Sequence, residues 1–594
     1  MEQLKERKDM DPRFTWDFTD LYPSDEAWEQ EMNELGGEVE SLSALKGTLG
    51  ASAASLKAGL DRYYAVAKRL FLAGCYAFFH MSADNGDPRY QRMMGLSQQL
   101  EAKFSQKTSF LDPEILAIDP DTLAGFMKDP ALAEYSHIIE NTTRARAHTL
   151  PAEQEALLAQ FAQVRNTPDQ VFSMYGDVDV RFEDVIDENG KPSPLTNGNF
   201  GVYRESRCQA VRKDAFEKMM GAFKAAINTL AANYTGQVQM NNAFARIRGF
   251  NSACEASLFA GNIPVSVYDS LTEAVHAGLP TMKRYLGLRK KALGLDELNL
   301  YDLYVPMIDD VDYPMPFEEG KQLVKKALAP LGEKYQALLD RAFNEHWIDV
   351  YENKGKTSGA YSAGVYGVHS FVLLNYTDTL DDAFTLAHEL GHAMHSYLSN
   401  EAQTFANSDY FITVAEVAST VNEVLLTKYL LANETDPKKR AYILNHFLEG
   451  FRTTVFRQTL FAEFERKAHD LDQAGTPLTA EVLSGIYHDL NALYYDGAVT
   501  NETLDVEWAR IPHFYSSFYV YQYATGFCSA VAIANRIIET GDASDYLRFL
   551  TTGGSDYPIE ELKIAGVDLT QPETVKNALK VFDESLSELE ALIG

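Results

Sequence analysis

The chain has little positive charge for its size. Its 53 Lys and Arg stand against 85 Asp and Glu, a formal net charge of −32 over 594 residues. Nucleic-acid binding needs a basic footprint that neutralises phosphates, so nucleic-acid partners are excluded. An anionic membrane surface would repel the chain for the same reason. Cysteine is scarce as well. Cys75, Cys208, Cys254 and Cys528 are scattered, with neither redox nor metal-ligand spacing, which speaks against a disulfide scaffold or a thiolate metal cluster. There is no run of 18 apolar residues and hence no expected transmembrane helix. The first ten residues are charged and contain no apolar signal-peptide core. A reducing cytoplasm fits these features best. Neither internal repeats nor low-complexity segments are found.

What remains is ordinary globular material, 46% hydrophobic and 23% charged. At this length several domains or one large multi-lobed unit is expected. Residues 15–165 read as helix, with apolar residues at three- and four-residue spacing in Tyr63–Met81 and Gly95–Phe110. Residues 170–205 differ. Asp179–Ile186 alternates, Asp187–Gly190 reads as a turn, and Gly198–Tyr203 follows, which predicts a β-hairpin or small sheet. Helical patterns resume from Cys208 and continue, with breaks, to Phe343. A second extended stretch, Gly359–Tyr376, is rich in glycine, aromatic and β-branched residues. The expected fold is mainly α, with a small β-sheet before the motif helix described next and a small hairpin region near 175–205. A boundary near 200 is expected to separate an N-terminal helical lobe (1–200) from the domain carrying that motif (201–594).

The motif is His388-Glu389-Leu390-Gly391-His392. On a helix, His388 and His392 lie about 40° apart around the axis and about 6 Å along it, so both imidazoles face one way. Two such nitrogens suit a zinc ion, and Glu389 can reach a water bound to it. This is the H-E-x-x-H pattern of zinc metallopeptidases. A surface helix with two unremarkable histidines is the competing reading, and context weakens it. Asp381 and Asp382 mark a helix start, and Ala383, Leu386, Ala387 and Leu390 recur at helical spacing, giving a helix buried on one side.

A catalytic zinc site needs a third protein ligand and leaves one position for water. The metzincin pattern fails, because His395 stands where its Gly should be and Leu398 where its third His should be. His395 lies about 10 Å along the axis from His388, so it is expected to be an outer, buried hydrogen-bonding residue. Among the downstream acids, Glu401, Asp409, Glu416 and Glu423, the last two sit seven apart in a strongly apolar helical stretch. An acid there is costly unless paired. Glu416 is expected as the third ligand and Glu423 as the acceptor that orients a ligand His. An ion pair to a base elsewhere is the alternative for each.

His388–His395 followed by Val414-Ala-Glu416-Val-Ala-Ser419 resembles the thimet-oligopeptidase-like zinc metallopeptidases, with the oligoendopeptidase F branch as the closer match. Trp16–Pro23, Lys356–Ser362 and Ile511–Gly526 are similar to the same family. The resemblance implies a mostly helical fold in which two lobes enclose a deep channel. It implies one zinc ion per chain and cleavage inside short unstructured peptides. It also implies that the segment from Ser358, Gly359, Ala360 and Tyr361 to Ala363 lies along the peptide as an edge strand. His513, Tyr519 and Tyr523 take the place of the family's groups that polarise the scissile carbonyl. Gly526 stands where the thimet branch has a further Tyr, and Tyr515 and Tyr521 are alternatives. A neutral O–H or N–H aimed at an oxyanion is chemically suited to that role. Glu389 is then the general base. The rival readings are a zinc carboxypeptidase or dipeptidyl carboxypeptidase of related fold, and a non-catalytic peptide-binding protein, against which Glu389 speaks. Peptide deformylase is disfavoured, since no Cys is placed as third ligand.

Overall fold

The computed structural model describes residues 4–308, 311 and 313–593. The chain is mainly helical, with two small sheets among the described residues. Two compact units interleave along it. One comprises Met1–Ala147, Tyr313–Tyr429 and Ile533–Val567, the other His148–Asp312, Leu430–Ala532 and Asp568–Gly594. The sequence reading draws a single line near 200, whereas the spatial units are each assembled from three separate segments. No helix among the described residues is long and apolar enough to cross a membrane.

In the first unit, helices Asp25–Ser41, Ala53–Ala83 and Pro88–Thr108 start at side-chain caps. Ser24, Ser52 and Asp87 each accept a backbone N–H of the first turn, satisfying donors that have no partner inside the helix. Pro88 follows its cap at the position where a missing N–H costs nothing. Their apolar faces bury Trp28, Val39, Leu70, Ala73 and Phe79. The same core includes Trp16, Phe371 and Leu373. The Trp16 indole N–H is 3.0 Å from both the Trp347 and Val372 carbonyl oxygens, and its ring meets Phe79 and Phe371. The Trp16–Pro23 stretch is thus a clamp on the sheet. Truncating this buried aromatic to Ala would cost about 3–5 kcal/mol.

That sheet has three strands, β3 (Ile348–Asp349), β4 (Tyr361–Ala363) and β5 (Phe371–Leu373), after a hairpin of β1 (Val185–Ile186) and β2 (Pro192–Ser193) in the second unit. The order is β3-β5-β4, so β4 is an edge. β5 runs parallel to β3 and antiparallel to β4, pairing Tyr361 with Leu373 and Ala363 with Phe371. The Val372 N–H donates to the Trp347 carbonyl, so the backbone of Val372 faces β3 and those of Phe371 and Leu373 face β4. By alternation the Ser362 N–H and C=O point outward from the sheet edge. The loop before β4 is tied by Asn375, whose Nδ2 donates to the Thr357 and Gly359 carbonyls at 3.0 and 2.8 Å. Gly359 has φ +81°, a conformation that favours glycine.

In the second unit the hairpin forms as the Asp187–Gly190 turn predicts. Asp187 N donates to Lys191 O, and Gly190 takes φ +73°. Its strands are only two residues long. The segment after them departs from the expectation: Phe200–Glu205 is a helix. The reason is local. Thr196 and Asn199 exchange hydrogen bonds, Thr196 N to Asn199 Oδ1 at 2.7 Å and Asn199 N to Thr196 Oγ1 at 3.1 Å, which coils the chain into a helical first turn. Long helices make the rest of this unit. Val265–Ala292 packs on Glu573–Ile593, and at Gly278 a methyl would come within 2.8 Å of Leu579. Helix Glu573–Ile593 buries Val575, Leu579, Phe582, Leu586 and Leu589, an apolar stripe of helical period.

Candidate active site

The motif lies on helix Leu380–Ala402 of the first unit. Thr379 caps it. The Thr379 hydroxyl accepts the Asp382 N–H, and the Asp382 carboxylate returns the bond to the Thr379 N–H at 2.9 Å. Ala383, Leu386, Ala387 and Leu390 are fully buried, as their spacing predicts. The Ser370 hydroxyl donates to the Ala393 carbonyl, and a methyl at Gly364 would meet Ser396 Cβ at 2.4 Å, so the end of β4 lies directly on this helix.

Helix Ile412–Asn433, which belongs to the first unit as far as Tyr429, crosses the motif helix at Gly391. A Cβ there would stand 2.5 Å from both Ala418 O and Ser419 Cα. Only glycine allows this approach, and one turn away Asn422 fixes it. Asn422 Nδ2 donates to the Ala387 carbonyl at 2.9 Å, and its Oδ1 accepts the Tyr335 hydroxyl at 3.0 Å. Neither Gly391 nor Asn422 stands out in the sequence as a site residue. Their signal, a glycine inside the motif and an amide in an apolar helix, is legible only afterwards.

The crossing brings Glu416 over the two histidines. Glu416 Oε2 is 3.4 Å from His388 Nε2 and 3.5 Å from His392 Nε2, and the two nitrogens are 3.2 Å apart. Among the described residues these three form the one group with the spacing of a metal site. A tetrahedral ion with bonds of about 2.0–2.1 Å holds its ligand atoms about 3.3–3.4 Å apart, from the tetrahedral angle. The donor set therefore fits a small N/O-ligated cation. It does not fit calcium, which takes six to eight oxygens at longer bonds. The Ser419 hydroxyl donates to Glu416 Oε2 at 3.1 Å and orients it. Glu423 accepts from His388 Nδ1, which leaves Nε2 of that ring as the free donor atom. Burial works against charge on His388, but Glu423 and the neighbouring carboxylates outweigh it and lift its pKa to about 9. Burial also acts against charge on Glu416, yet His392 and His388 hold its carboxyl down at about 2. A cation loading this cluster displaces the His388 proton.

Glu389 is 6% exposed, and burial raises its carboxyl above the ordinary range despite the two histidines. His395 is fully buried but makes no hydrogen bond to the cluster. It stacks on Tyr410, centroids 3.8 Å apart and planes 4° from parallel, and neither ring nitrogen has a hydrogen-bond partner among the described residues. Ser358 and Gly359 are exposed ahead of β4, and Ala360 leads into it. The Tyr361 side chain packs on Trp16 and Phe78 and its backbone pairs with Leu373, so the outward backbone groups of this edge are those of the neighbouring Ser362.

The second unit gathers His513, Tyr519 and Tyr523. The His513 ring is 6.4 Å from Tyr519 and 6.0 Å from Tyr523, and the two tyrosines are 5.3 Å apart, edge to face. Tyr515 and Tyr521 are elsewhere. Tyr515 packs on Phe172 and its hydroxyl accepts from Asn233, while Tyr521 is 2% exposed against Tyr268. Between the groups Phe518 takes φ +59°, a left-handed conformation rare for an aromatic. It is held there by its contact with His469 and by Asn241, which donates to the Ser517 hydroxyl at 2.7 Å. Strain fixed by its surroundings in this way presets a loop rather than leaving it to adapt.

Known proteins resemble this chain over nearly its whole length. The model of peptidase family M3 matches residues 202–581, and that of oligopeptidase F matches 114–182. Oligopeptidase PepF of Bacillus subtilis is 43% identical over 595 residues, covering 100% of this chain and 89% of that protein. An oligoendopeptidase F homolog of Lactococcus lactis is 38% identical, covering 99% of each. A crystal structure of oligoendopeptidase-F from Enterococcus faecium superposes with a TM-score of 0.75 at 36% identity, over 96% of this chain and 99% of that one. The chain belongs to peptidase family M3, within its oligopeptidase F group.

Proposed function

We propose that the chain is a zinc-dependent endopeptidase that hydrolyses internal bonds of short unstructured peptides, with one zinc ion held by His388, His392 and Glu416. The single observation that carries this reading is the mutual spacing of those three ligand atoms, 3.2–3.5 Å. The names of the relatives support the choice of oligopeptide substrates and of endo- over carboxypeptidase action. When bound, zinc would supply Lewis acidity, making water a nucleophile near neutral pH and polarising a carbonyl oxygen.

The protein's own groups carry the remaining steps. Glu389 accepts the proton of the attacking water at a carboxylate oxygen and delivers it to the leaving nitrogen. Its raised pKa suits both acceptance and return. Glu423 holds His388 in the tautomer that presents Nε2. Tyr519 and Tyr523 offer hydroxyl hydrogens, and His513 a ring N–H, to the developing oxyanion. Backbone of the segment from Ser358 to Ala363, chiefly the outward N–H and C=O of Ser362, pairs with the extended peptide. The two family-model ranges meet between 182 and 202, which supports a boundary near 200 between 1–200 and 201–594 as modules of sequence, alongside the spatial units. The four cysteines are unpaired thiols, which favours the cytoplasm.

The test is an internally quenched peptide blocked at both ends, incubated with zinc-loaded protein, chelated protein and chelated protein given zinc back. Internal fragments by mass, lost with chelator and restored by zinc, are expected. Cleavage only of peptides with a free carboxyl terminus would replace the endopeptidase reading with a carboxypeptidase.

A further inference from the structure

Within this acidic chain the second unit, itself net acidic, holds one local cluster of positive charge. The guanidiniums of Arg204, Arg289, Arg452, Arg457 and Arg510 gather about Tyr304 and Tyr495. The Cζ atoms of Arg204 and Arg452 lie 3.8 and 4.6 Å from the centroid of the Tyr304 ring. The Cζ atoms of Arg204 and Arg510 both lie over the Phe200 ring, 4.7 and 5.4 Å from its centroid. Among the described residues two carboxylates answer these five cations. Glu449 accepts from Arg289 and Arg452. Glu507 accepts from Arg457 at 2.7 Å and from the Tyr487 hydroxyl at 2.6 Å, with Arg510 3.8 Å away. Asp302 is engaged by Arg212. Among the described residues the cluster has more cations than anions.

Its donors are also incompletely used. Arg204 Nε, Arg452 Nη1, Arg510 Nε and the Tyr495 hydroxyl are shielded from solvent without a hydrogen-bond partner among the described residues. Arg452 and Tyr495 are 1% and 2% exposed. A buried charged donor without an acceptor is among the costliest groups a fold can carry, and its like-charged neighbours add repulsion. One anion would relieve both penalties. The segments that present these groups are separate in sequence: helix Phe200–Glu205, the chain after Leu300–Asp302, the π-helical turn Phe451–Phe456 that carries Arg452, and the turn Leu504–Arg510. Inserted π turns of this kind recur at functional sites. The field at the centre is strongly positive: burial pushes the Tyr304 phenol up, but Arg457, Arg452 and Arg204 outweigh it and bring it to about 8.

We propose that this cluster is a binding site for a small inorganic anion, held by the guanidiniums of Arg204, Arg452 and Arg510 and the hydroxyls of Tyr304 and Tyr495. It involves none of the residues assigned to the metal or to the peptide, so it stands whatever becomes of the peptidase reading. Arg204 has no ion pair among the described residues and is half-buried, so it is the natural residue to remove.

The experiment uses the whole metal-loaded protein in a buffer free of halide, phosphate and sulfate. Sodium bromide and sodium phosphate are titrated separately, with ionic strength held constant by methanesulfonate, and the thermal midpoint is followed. A saturable rise is expected. The apparent affinity should fall at least about tenfold in Arg204→Gln and in Tyr304→Phe, the loss of one hydrogen bond to a charged ligand. Arg284→Gln, which removes two surface ion pairs of the same unit, should change nothing. Saturation by only one of the two anions sets the type of ligand. Should Arg204→Gln fail to fold, Tyr304→Phe keeps the ring and decides alone. An anomalous bromide peak among the arginines in soaked crystals would support the site directly. A response that is linear, and equal in wild type and both variants, is bulk screening and overturns it. So does a tyrosinate absorption band present at pH 8 without added anion, absent from Tyr304→Phe and accompanied by no saturable shift, because the negative charge then belongs to Tyr304 itself.

Discussion

Gly391→Ala sets two effects against each other, and the structure says which wins. On propensity alone the change favours the motif helix by about 0.8–1 kcal/mol, since glycine is a poor interior helix residue. The added methyl, however, would sit 2.5 Å from Ala418 O and from Ser419 Cα, and ordinary contact begins at 3.4 Å. Both neighbours are backbone and cannot rotate away. The helices must therefore separate by about 0.9 Å. Overpacking of this kind costs about 1–3 kcal/mol, so net stability should fall by about 1 kcal/mol or slightly more. Function should suffer far more. Glu416 rides on the displaced helix, and its carboxylate must remain about 3.4 Å from both imidazole nitrogens to share an ion with them. A misplacement near 1 Å in a catalytic constellation costs about 10²-fold in rate. We expect metal affinity to fall at least about tenfold and kcat/KM about 10²-fold, with circular dichroism unchanged. Zinc affinity by competition with a chromophoric chelator and turnover of a quenched peptide measure the two. A variant with wild-type metal affinity and a raised melting temperature would show that the helices do not meet at Gly391, and the reasoning would fail.

Four further outcomes are expected. Glu389→Gln should keep fold and metal but lose about 10²–10⁴-fold in kcat, the usual share of a general base; activity within tenfold of wild type would remove it from that role. Glu423→Ala should weaken metal binding about 10–100-fold, read by the same chelator competition, and an unchanged affinity would make its bond to His388 incidental. Tyr519→Phe or Tyr523→Phe should lower kcat with little change in KM, by up to about 10²-fold, whereas Tyr515→Phe and Tyr521→Phe should act on stability alone; the reverse pattern in single-turnover kinetics would refute the assignment. Glu561 is 1% exposed without a well-formed hydrogen bond, and burial raises its pKa to about 8. Its native pKa lies above the unfolded value of 4.5. The folded state therefore keeps a proton that the unfolded chain releases, and stability falls as pH rises between those values, by on the order of 1 kcal/mol per pH unit. Urea midpoints at pH 5, 7 and 9 should show this slope in wild type and a flatter one in Glu561→Gln; parallel slopes would show that Glu561 is not its source.

Much of the first unit's site is legible in the sequence because it is built on helices. The period of the motif helix alone aligns His388 with His392, and an acid seven residues from another in an apolar helix must find a partner, which gives both Glu416 and Glu423. What local pattern cannot express is distance between helices. That is set at Gly391 and by the Asn422 amide spanning Ala387 and Tyr335. The same limit hides Trp16, whose indole reaches two carbonyls more than 330 residues away. At the small hairpin the turn was readable, because Gly190 supplies a left-handed φ. The helix after it was not, because its start depends on a reciprocal Thr196–Asn199 pair rather than on periodicity. The division into units is likewise non-local, since each is assembled from three distant segments.

The aromatic segment shows why spacing by itself could not choose among its tyrosines. Helix begins only at Tyr521, so the Tyr519–Tyr523 interval spans a loop and a first helical turn, and no single period relates its members. Alternation would group Tyr515, Tyr519, Tyr521 and Tyr523 together, while helical spacing would group Tyr515 with Tyr519 and Tyr523. The chain resolves this with one backbone torsion. At Phe518, φ +59° turns the following residue back toward the preceding loop. Tyr519 then comes nearly parallel to His513, while Phe518 and Tyr521 drop into the apolar interior against Tyr268. A non-glycine residue pays strain energy on the order of 1 kcal/mol for that torsion, and glycine would hold it freely. Phenylalanine is kept because its side chain is itself the anchor, 3% exposed between His469 and Tyr268. Phe518→Gly should therefore leave the torsion allowed but the loop unheld. We expect kcat to fall while KM rises, as the donors lose their fixed positions. Unchanged kinetics in that variant would mean that the torsion, and not the buried ring, is sufficient to place His513 and Tyr519.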